Sequence, residues 1–323
     1  MIRAAVYGFG YLGHAVCDAL QQAPDLTVCG VYSRRAARLL PHWSEPFALW
    51  EADAFFSHPP TADVVINCGG SAADLPQTTP ALAERCCVVD SFDCHAAIAA
   101  HRARTDTAAR AAGTLCIVSA GWDPGLFSLA RLLGSAFVPQ ASISTFWGPG
   151  VSQGHSDALR RLPGVADARQ YTIPLEEALT QARAGRAADA MHSHRRICYI
   201  VPTPDADRRA LEQAIRSMPG YFAGYETEIH FITAQQMKAQ HSRMPHGGHV
   251  ICTGGGDPQR QPALSVELQL SLGSNTAFTA GILTACARAA VRLRQAGQTG
   301  CRTMAEIPPA CYLPRPEDAA RWL

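Results

Sequence analysis

Apolar residues in the first 120 positions fall into five short runs that are separated by glycine-rich or helical segments. The runs cover residues 2–7, 26–32, 62–68, 86–90 and 115–119. Each has the length of a buried strand, and the segment from Leu12 to Leu20 is apolar at helical spacing. Strands that alternate with helices predict an α/β fold, in which helices cover both faces of a parallel sheet.

The pattern changes near residue 140. Leu264–Leu272 is apolar at every even position and polar at every odd one, which predicts a strand with one buried face in a mixed or antiparallel sheet. Further strands are predicted at 142–147, 196–201 and 226–232, with helices near 176–184 and 205–218. A long last helix is predicted at 277–296 and is expected to return to the first domain.

A glycine motif joins the first strand to the first helix. It reads Gly8-Phe9-Gly10-Tyr11-Leu12-Gly13, in the strand–turn–helix context that a dinucleotide-binding G-x-G-x-x-G motif requires. Gly8 permits the tight turn, Gly10 lets the backbone approach a pyrophosphate, and Gly13 lets the helix pack closely on the strand. The helix N-terminus offers free amide groups to the phosphates. The motif favours a Rossmann-type cofactor site over a purely structural turn.

The residues after the second strand indicate which cofactor binds. An NAD-binding unit usually has an acidic residue about 20 residues past the glycines, where it holds the ribose 2′-hydroxyl. Here Ser33, Arg34 and Arg35 stand at that point, and two guanidinium groups suit a 2′-phosphate. We therefore predict NADP rather than NAD. The alternative is that both arginines only open a solvated helix.

Turns after the other three strands are expected at the same edge of the sheet, because ligands of a doubly wound sheet bind outside the carboxyl ends of its strands. These turns contain Cys68, Gly69, Gly70 and Ser71, then Ser91, Phe92 and Asp93, and finally Ala120, Gly121, Trp122, Asp123 and Pro124. Asp93 and Asp123 occupy two of these ends. We expect both carboxylates to contact substrate near the nicotinamide.

Composition limits the other classes of function. The chain has 323 residues, 47% hydrophobic and 17% charged, which suits an enzyme of two domains. Its formal net charge of +1 gives no general attraction to nucleic acid or to an acidic membrane. We expect no signal peptide and no transmembrane helix. The 12 cysteines form no C-x-x-C pair, so we expect reduced thiols in a cytoplasmic protein.

Several polar clusters are candidates for chemistry. His246 and His249 flank two glycines, which oppose a helix, and we predict no metal site. Arg196 opens an apolar strand, where it could receive a substrate carboxylate, and we prefer it to Arg195 for that reason. The glycine-rich loop 147–157 is either a functional loop or a connection between domains. No cysteine has an evident base partner, so covalent acyl chemistry is not predicted.

These motifs resemble those of the meso-diaminopimelate dehydrogenases, NADP-dependent amino acid dehydrogenases of bacterial lysine metabolism. The resemblance covers almost the whole chain. It rests on GFGYLG, SRR at 33–35, DSFD at 90–93, GWDPG at 121–125, FWGPGVSQGHSDALRRLPGV at 146–165, MPGYFAGYE at 218–226 and MPHGGHVI at 244–251. It implies that residues 1–125 bind the dinucleotide, residues 126–275 bind substrate and form a homodimer, and residues 276–323 return to the first domain.

The resemblance also implies the reaction and its residues. The D-configured end of meso-2,6-diaminopimelate would be oxidised to an imine and hydrolysed to L-2-amino-6-oxopimelate and ammonia, reversibly. Ser33, Arg34 and Arg35 would hold the 2′-phosphate; Asp93, Asp123, Trp147, Gln153 and Gly154 would surround the reacting carbon; Thr172, Arg196, His246 and Asn275 would hold the L-amino acid end. Our hypothesis is that Asp93 or Asp123 accepts the proton released by the ammonium group.

Two other functions stay open on sequence alone. The first is an NADP-dependent reductase of a related keto or cyclic intermediate. The second is an NADP-binding sensor without catalytic activity, which would not need the polar residues Asp93, Asp123 and Arg196.

Overall fold

The fold is that of a computed structural model, which describes residues 1–58, 60–186, 192–255 and 264–323. The chain divides into two compact units, one made of Met1–Leu129 with Thr276–Leu323 and the other of Ala130–Asn275. The strands are β1 (Ile2–Tyr7), β2 (Leu26–Ser33), β3 (Leu49–Glu51), β4 (Val64–Asn67), β5 (Cys87–Asp90), β6 (Leu115–Ile117), β7 (Ser142–Trp147), β8 (Gly150–Val151), β9 (Val165–Pro174), β10 (His194–Pro202), β11 (Thr227–Phe231), β12 (His246–Gly254), β13 (Leu264–Leu272) and β14 (Gly300–Arg302).

The α-helices are α1 (Tyr11–Gln21), α2 (Ala36–Leu39), α3 (Ala54–Ser57), α4 (Leu75–Ala83), α5 (Ile98–Ala112), α6 (Leu126–Phe137), α7 (Gln153–Arg160), α8 (Glu176–Arg183), α9 (Arg208–Arg216), α10 (Ala234–Gln240) and α11 (Asn275–Gln295). Short 3-10 helices cover Leu40–His42, His95–Ala97, Met304–Glu306, Pro309–Tyr312 and Pro316–Trp322. Within the described ranges, no helix is long and apolar enough to cross a membrane.

The first unit is built on a parallel sheet of seven strands in the order β14-β6-β5-β4-β1-β2-β3. One core, which includes Val16 of α1 and Leu283 of α11, covers one face of the sheet. A second core, which includes Leu82 of α4 and Ala109 of α5, covers the other face. This architecture confirms the predicted Rossmann-type doubly wound sheet. The strand order reverses at β1, where ligands of such sheets bind.

The C-terminal residues complete the first unit. Helix α11 packs its apolar residues into the first core, and β14 extends the sheet by pairing with β6. Arg288 of α11 is nearly buried and its Nε lies 2.7 Å from Asp25 Oδ2, in the turn before β2. Residues 276–323 are therefore part of the Rossmann-type unit, because they supply both a core helix and an edge strand.

The second unit contains two small sheets. A mixed sheet has the order β11-β10-β9-β8, with only β10 and β11 parallel among its pairs, and an antiparallel sheet has the order β13-β12-β7. Leu159 of α7 and Ile215 of α9 pack on the mixed sheet, while Leu179 of α8 packs on the antiparallel one. This confirms the predicted α+β fold with mixed or antiparallel sheets.

One expectation about an individual element is confirmed only in part. Strand β13 has the predicted bounds, and its apolar face is buried at Leu272 and half-buried at Leu268 and Leu270, but Leu264 is 45% exposed and Val266 is 53% exposed. Neither Leu264 nor Val266 packs into a hydrophobic core of the described residues. Helix α4 begins at Leu75, with Pro76 in its first turn, where proline's missing N–H removes no helical hydrogen bond.

Candidate active site

The glycine motif has three different local environments. Gly8 has φ +96°, and a Cβ there would lie 3.0 Å from the backbone of Cys68. A Cβ on Gly13 would lie 2.2 Å from the carbonyl oxygen of Gly8, so the helix can pack this closely only with glycine. A Cβ on Gly10 would meet nothing within 4 Å. The backbone of Gly10 is therefore open to an approaching group, and this residue caps α1 without a side-chain hydrogen bond.

The arginines after β2 lie close to this turn. Arg35 donates a hydrogen bond to the carbonyl oxygen of Phe9, and its backbone N–H donates to the buried hydroxyl of Ser33 at 3.1 Å. The Arg34 side chain is 76% exposed and pairs with Asp74 at 2.9 Å. An exposed ion pair of this kind contributes little stability, so Arg34 can exchange it for a phosphate at small cost. These residues fit the 2′-phosphate of NADP.

Ser71 joins the turns that follow β4 and β5. Its hydroxyl donates to Asp93 Oδ1, and the backbone N–H of Asp93 donates to Ser71 Oγ at 2.9 Å. Asp93 is exposed. The reciprocal pair fixes the Asp93 carboxylate at the edge of the sheet where the glycine motif lies.

Asp123 lies in a tight turn after β6. Gly125, which ends this turn, has φ +129°, and a Cβ there would lie 1.9 Å from the carbonyl oxygen of Gly121. Trp122 packs edge-on against Phe127 at 5.2 Å between ring centres. Since only glycine tolerates this closure, the turn gives Asp123 a defined position at the carboxyl end of the sheet.

The second unit contains a cavity of about 520 Å³. Its walls are formed by Ser142, Ile143, Ser144, Thr145, Phe146, Trp147, Ser152, His155, Thr172, Ser193, His194, Arg196, Tyr225 and His246. Four of the predicted substrate residues are among them: Trp147, Thr172, Arg196 and His246. The cavity is large enough for a small dicarboxylic amino acid.

Arg196 is the cationic side chain of this cavity. It is 9% exposed, its Nη1 donates to Thr172 Oγ1 at 2.8 Å, and its guanidinium carbon lies 4.3 Å from the centre of the Tyr225 ring. Its Nε has no hydrogen-bond acceptor among the described residues. Burial lowers the pKa of Arg196, and no described carboxylate acts on it in the opposite direction. A buried cation without a protein anion is suited to an anionic ligand.

The histidines of the cavity are neutral near pH 7. Burial, with the charge of Arg196 as a second cause, lowers the pKa of both His155 and His194 to about 4. Burial also lowers the pKa of His246. His194 Nε2 accepts a hydrogen bond from the backbone N–H of Trp147 at 3.0 Å, which requires the unprotonated nitrogen. The cavity lining therefore has a net positive charge, which is carried by the guanidinium of Arg196.

Three predicted substrate residues of the second unit do not line the cavity, and the other two, Asp93 and Asp123, lie in the first unit. Gln153 and Gly154 form the start of α7, directly after the lining residue Ser152. Asn275 begins α11, and its backbone N–H donates to the carbonyl oxygen of Met244 at 3.2 Å, two residues before His246. These three residues are next to the cavity in sequence or through a hydrogen bond, rather than part of its wall. The resemblance to the family described above needs a small gap between Asp189 and His194, and Asp189 lies outside the described residues.

Ten lining residues were not predicted individually as site residues: residues 142–146, Ser152, His155, Ser193, His194 and Tyr225. Ser152 and His155 lie in the candidate loop 147–157, and His194 could also have been inferred from the sequence. Alternate residues of a strand face the same side, so the choice of Arg196 on β10 also implies His194. Tyr225 lies in the MPGYFAGYE motif, but its contact with Arg196 joins the start of β10 to the segment before β11 and is fixed by tertiary structure.

Residues 150–154 also read G-x-S-x-G, a pattern that sequence reasoning overlooked. Ser152 Oγ lies 2.8 Å from His155 Nδ1. Ser152 is the N-cap of α7 with φ −85°, an unstrained conformation, whereas a nucleophile elbow is strained. A histidine with a pKa of about 4 is also a weak base at neutral pH. The pair is better described as a helix cap than as an acyl-transfer nucleophile. Among the described residues, no group of three or more His, Cys, Asp or Glu side chains could hold a metal ion.

Comparison with known proteins gives close relatives. Residues 121–274 match a family model described as the diaminopimelic acid dehydrogenase C-terminal domain. The chain is 43% identical to the meso-diaminopimelate D-dehydrogenase of Ureibacillus thermosphaericus, over 100% of this chain and 99% of the relative. It is similar to the diaminopimelate (DAP) dehydrogenase of C. glutamicum in complex with DAP, at 41% identity and a TM-score of 0.90, over 100% of this chain and 99% of that one. An engineered D-amino acid dehydrogenase bound to NADP+ matches at 40% identity and a TM-score of 0.85, with the same coverage.

Proposed function

Because this chain belongs to the meso-diaminopimelate D-dehydrogenase family, as its motifs predicted, we propose that it oxidises the D-centre of meso-2,6-diaminopimelate with NADP+. The products are L-2-amino-6-oxopimelate, ammonia and NADPH, and the reverse reaction is a reductive amination. The relatives are named for this activity, and the two solved structures are titled as complexes with DAP and with NADP+. The enzyme is therefore an NADP-dependent amino acid oxidoreductase.

The observation that carries the proposal is the buried guanidinium of Arg196 on the wall of the second unit's cavity. A substrate with a second amino acid group presents a carboxylate far from the reacting carbon, and Arg196 is a matching cation. Thr172, which already accepts a hydrogen bond from Arg196, is placed to share that carboxylate. We assign the L-amino acid end of the substrate to Thr172, Arg196 and His246, and Asn275 to the same end.

The first unit is assigned the cofactor. Gly8, Gly10 and Gly13 permit the pyrophosphate to approach the start of α1, and Phe9, Tyr11 and Leu12 complete that turn. Ser33, Arg34 and Arg35 hold the 2′-phosphate. The other three carboxyl-end turns, 68–71, 91–93 and 120–124, surround the rest of the cofactor. When bound, NADP supplies the hydride acceptor, and the protein supplies position and charge.

The reacting centre must lose a proton as well as a hydride. The ammonium group of the D-centre gives a proton to Asp93 or Asp123, which frees the nitrogen lone pair to form a C=N bond as the C–H bond breaks. Water then adds to the iminium carbon, and loss of ammonia leaves the ketone of L-2-amino-6-oxopimelate. Both aspartates stand at carboxyl ends of the sheet, and a carboxylate there also attracts the ammonium ion of the substrate. Trp147, Gln153 and Gly154 are assigned to the walls around this carbon.

The assembly is proposed to be a homodimer located in the cytoplasm. Leu264 and Val266 leave an exposed apolar stripe on the edge strand β13, which a second copy would cover. All 12 cysteines are free, which suits a reducing compartment. Light scattering after size exclusion should give a dimer, and Val266→Glu should give a monomer while Ser265→Glu on the opposite face leaves the dimer intact. A dimeric Val266→Glu variant would overturn this interface.

The reductive direction tests the proposed chemistry against the two alternatives. With L-2-amino-6-oxopimelate as substrate, NADPH oxidation should require ammonia, because the nitrogen of the new D-centre comes from it. NADPH oxidation without ammonia would indicate a keto-acid reductase. Tight NADPH binding without oxidation under either condition would indicate a sensor.

A further inference from the structure

A buried carboxylate that the proposed reaction does not use connects three carboxyl-end turns. Asp90, the last residue of β5, is fully buried and accepts four hydrogen bonds. Its Oδ1 accepts from the backbone N–H of Phe92 at 3.1 Å and of Ser119 at 2.9 Å. Its Oδ2 accepts from Thr79 Oγ1 at 2.7 Å and lies 2.7 Å from Nε2 of His101. One side chain therefore holds the turn after β5 and the residues after β6 at once.

The network also reaches the turn after β4. The Asn67 Nδ2 group donates to Thr79 Oγ1 at 3.1 Å, so Thr79 accepts from Asn67 and donates to Asp90. Asn67 Oδ1 accepts from the backbone N–H of Gly69 at 3.3 Å. Asn67 and Asp90 are register partners at the ends of adjacent strands. The three turns after β4, β5 and β6, each of which carries predicted cofactor residues, are thus tied to one buried network.

The backbone conformation after β6 points to a functional use of this network. Ser119 has φ +56°, in the left-handed region that residues other than glycine rarely adopt. Its N–H is held by the Asp90 side chain, and the N–H of Ala120 is held by the Asp90 carbonyl oxygen at 2.9 Å. Strained backbone of this kind persists only where surrounding contacts fix it, and it is concentrated at functional sites. Asp123 follows four residues later.

His101 on α5 completes the arrangement. It is fully buried, its ring stacks on Phe92 with 4.3 Å between ring centres, and its Nε2 carries the proton that Asp90 accepts. Its Nδ1 has no hydrogen-bond partner among the described residues. The side chain of His101 is therefore hydrogen-bonded to Asp90, and its ring packs directly against Phe92, the residue that precedes Asp93.

We propose that Asp90 and His101 form a positioning pair that sets the places of Asp93 and Asp123 and of the cofactor turns. The pair touches neither substrate nor cofactor in this assignment and acts through the backbone of Phe92, Ser119 and Ala120. The proposal rests on the proposed function for the roles of Asp93 and Asp123, but not for the cofactor turns. Displacing reacting groups by about 1 Å can lower an enzyme's rate about 100-fold, so small shifts in these turns are consequential.

The test uses three variants of residues on α5. His101→Leu removes the donor to Asp90, His101→Gln offers a donor at a similar place, and Thr105→Val is the matched control. Thr105 is fully buried one turn further along α5, and its hydroxyl has no partner among the described residues. Each variant is assayed well below its own Tm, for kcat and KM with meso-diaminopimelate, for the pH profile of kcat, and for the NADP+ dissociation constant.

The expected results separate positioning from simple stabilisation. His101→Leu should lower kcat about 10- to 100-fold and weaken NADP+ binding, with an altered pH profile, while His101→Gln recovers most of the lost kcat. Thr105→Val should keep the wild-type kcat and the wild-type NADP+ dissociation constant. If His101→Leu lowers only Tm and keeps the wild-type kcat and NADP+ affinity, the pair is structural and the proposal is wrong. Should His101→Leu fail to fold, Thr79→Val removes another donor to the same Asp90 oxygen and is judged by the same criteria.

Failure of the proposed function gives a different outcome. If the wild-type enzyme does not turn over meso-diaminopimelate, the reaction assignment fails. The NADP+ dissociation constants of the same variants still decide whether Asp90 and His101 position the cofactor turns. An unchanged NADP+ affinity in His101→Leu would then overturn the inference.

Discussion

The guanidinium carbon of Arg196 lies 4.3 Å from the centre of the Tyr225 ring, so the aromatic face packs against the cation. Arg196 Nη1 already donates to Thr172, and its Nε has no acceptor among the described residues. The arrangement keeps a positive charge on a cavity wall, and no carboxylate in the described part of the chain neutralises it. We propose that this charge binds the distal carboxylate of the substrate.

Replacing Arg196 should change substrate affinity more than the chemical step. A buried charge-assisted hydrogen bond contributes about 1.5–3 kcal/mol, so Arg196→Met should raise KM for meso-diaminopimelate about 10- to 100-fold. The NADP+ dissociation constant should not change. Arg195→Met, on the adjacent position of β10, serves as the control and should keep the wild-type KM. A normal KM in Arg196→Met would show that this cation does not bind the substrate.

Removing the two arginines after β2 should reduce the preference for NADP+. Each guanidinium is expected to make charge-assisted hydrogen bonds with the 2′-phosphate, so Arg34→Ala with Arg35→Ala should raise KM for NADP+ by at least about 10-fold. KM for NAD+, which lacks that phosphate, should stay nearly the same. Steady-state kinetics with both cofactors measure the ratio of KM for NAD+ to KM for NADP+, and Arg38→Ala is the control. An unchanged ratio would mean that the arginines only open a solvated helix.

Two glycines of the cofactor motif should respond differently to alanine. Gly13→Ala should destabilise the protein, since its Cβ would lie 2.2 Å from a backbone oxygen. Gly10→Ala should fold with a normal Tm, because its Cβ would meet nothing within 4 Å. It should nevertheless weaken NADP+ binding by about 10-fold or more, because the added methyl group occupies the approach of the pyrophosphate. Differential scanning calorimetry and NADP+ titration test both effects, and wild-type affinity in Gly10→Ala would contradict this position for the phosphates.

The neutral histidines of the cavity should make the protein less stable at acidic pH. The pKa of His194 is about 4 in the folded protein and near 6.5 when unfolded, so its contribution is complete above pH 6.5 and is lost as pH falls toward 4. Between pH 7 and pH 5 this loss amounts to about 2 kcal/mol. His194→Asn should reduce the fall in the free energy of unfolding over that interval by a similar amount. Denaturant titrations at both pH values measure it, with exposed His42→Asn as control; an unchanged pH dependence in His194→Asn would refute the effect.

Much of the fold could be predicted from the sequence because the local patterns of apolar residues and glycines agree with the tertiary structure. Strand β1 has the predicted bounds, and the last helix, predicted at residues 277–296, is observed as α11 at Asn275–Gln295. Strand β13 shows the limit of this reasoning. Its alternation predicted the strand correctly, but alternation records only that one face is apolar and not what covers it.

The site could be predicted only in part, because the sequence shows which residues are charged or polar but not what they contact. Charged residues at strand ends are visible in sequence, and Arg196 and Thr172 do line one cavity. The contacts that hold such charged side chains in place cannot be predicted from the sequence, because they join residues far apart in the chain. Tyr225 beneath Arg196 and His101 beside Asp90 are both of this kind. Buried polar pairs therefore had to be found in the structure.

The central claim is tested most directly by following NADP+ reduction with the meso, LL and DD isomers of diaminopimelate, with NAD+ as the control cofactor. We expect turnover of the meso isomer with NADP+, little turnover of the LL and DD isomers, and little reduction of NAD+. The meso isomer alone combines a D-centre for oxidation with an L-end for Arg196. Equal turnover of all three isomers would contradict the two-ended recognition, and no turnover of the meso isomer despite NADP+ binding would contradict the proposed function itself.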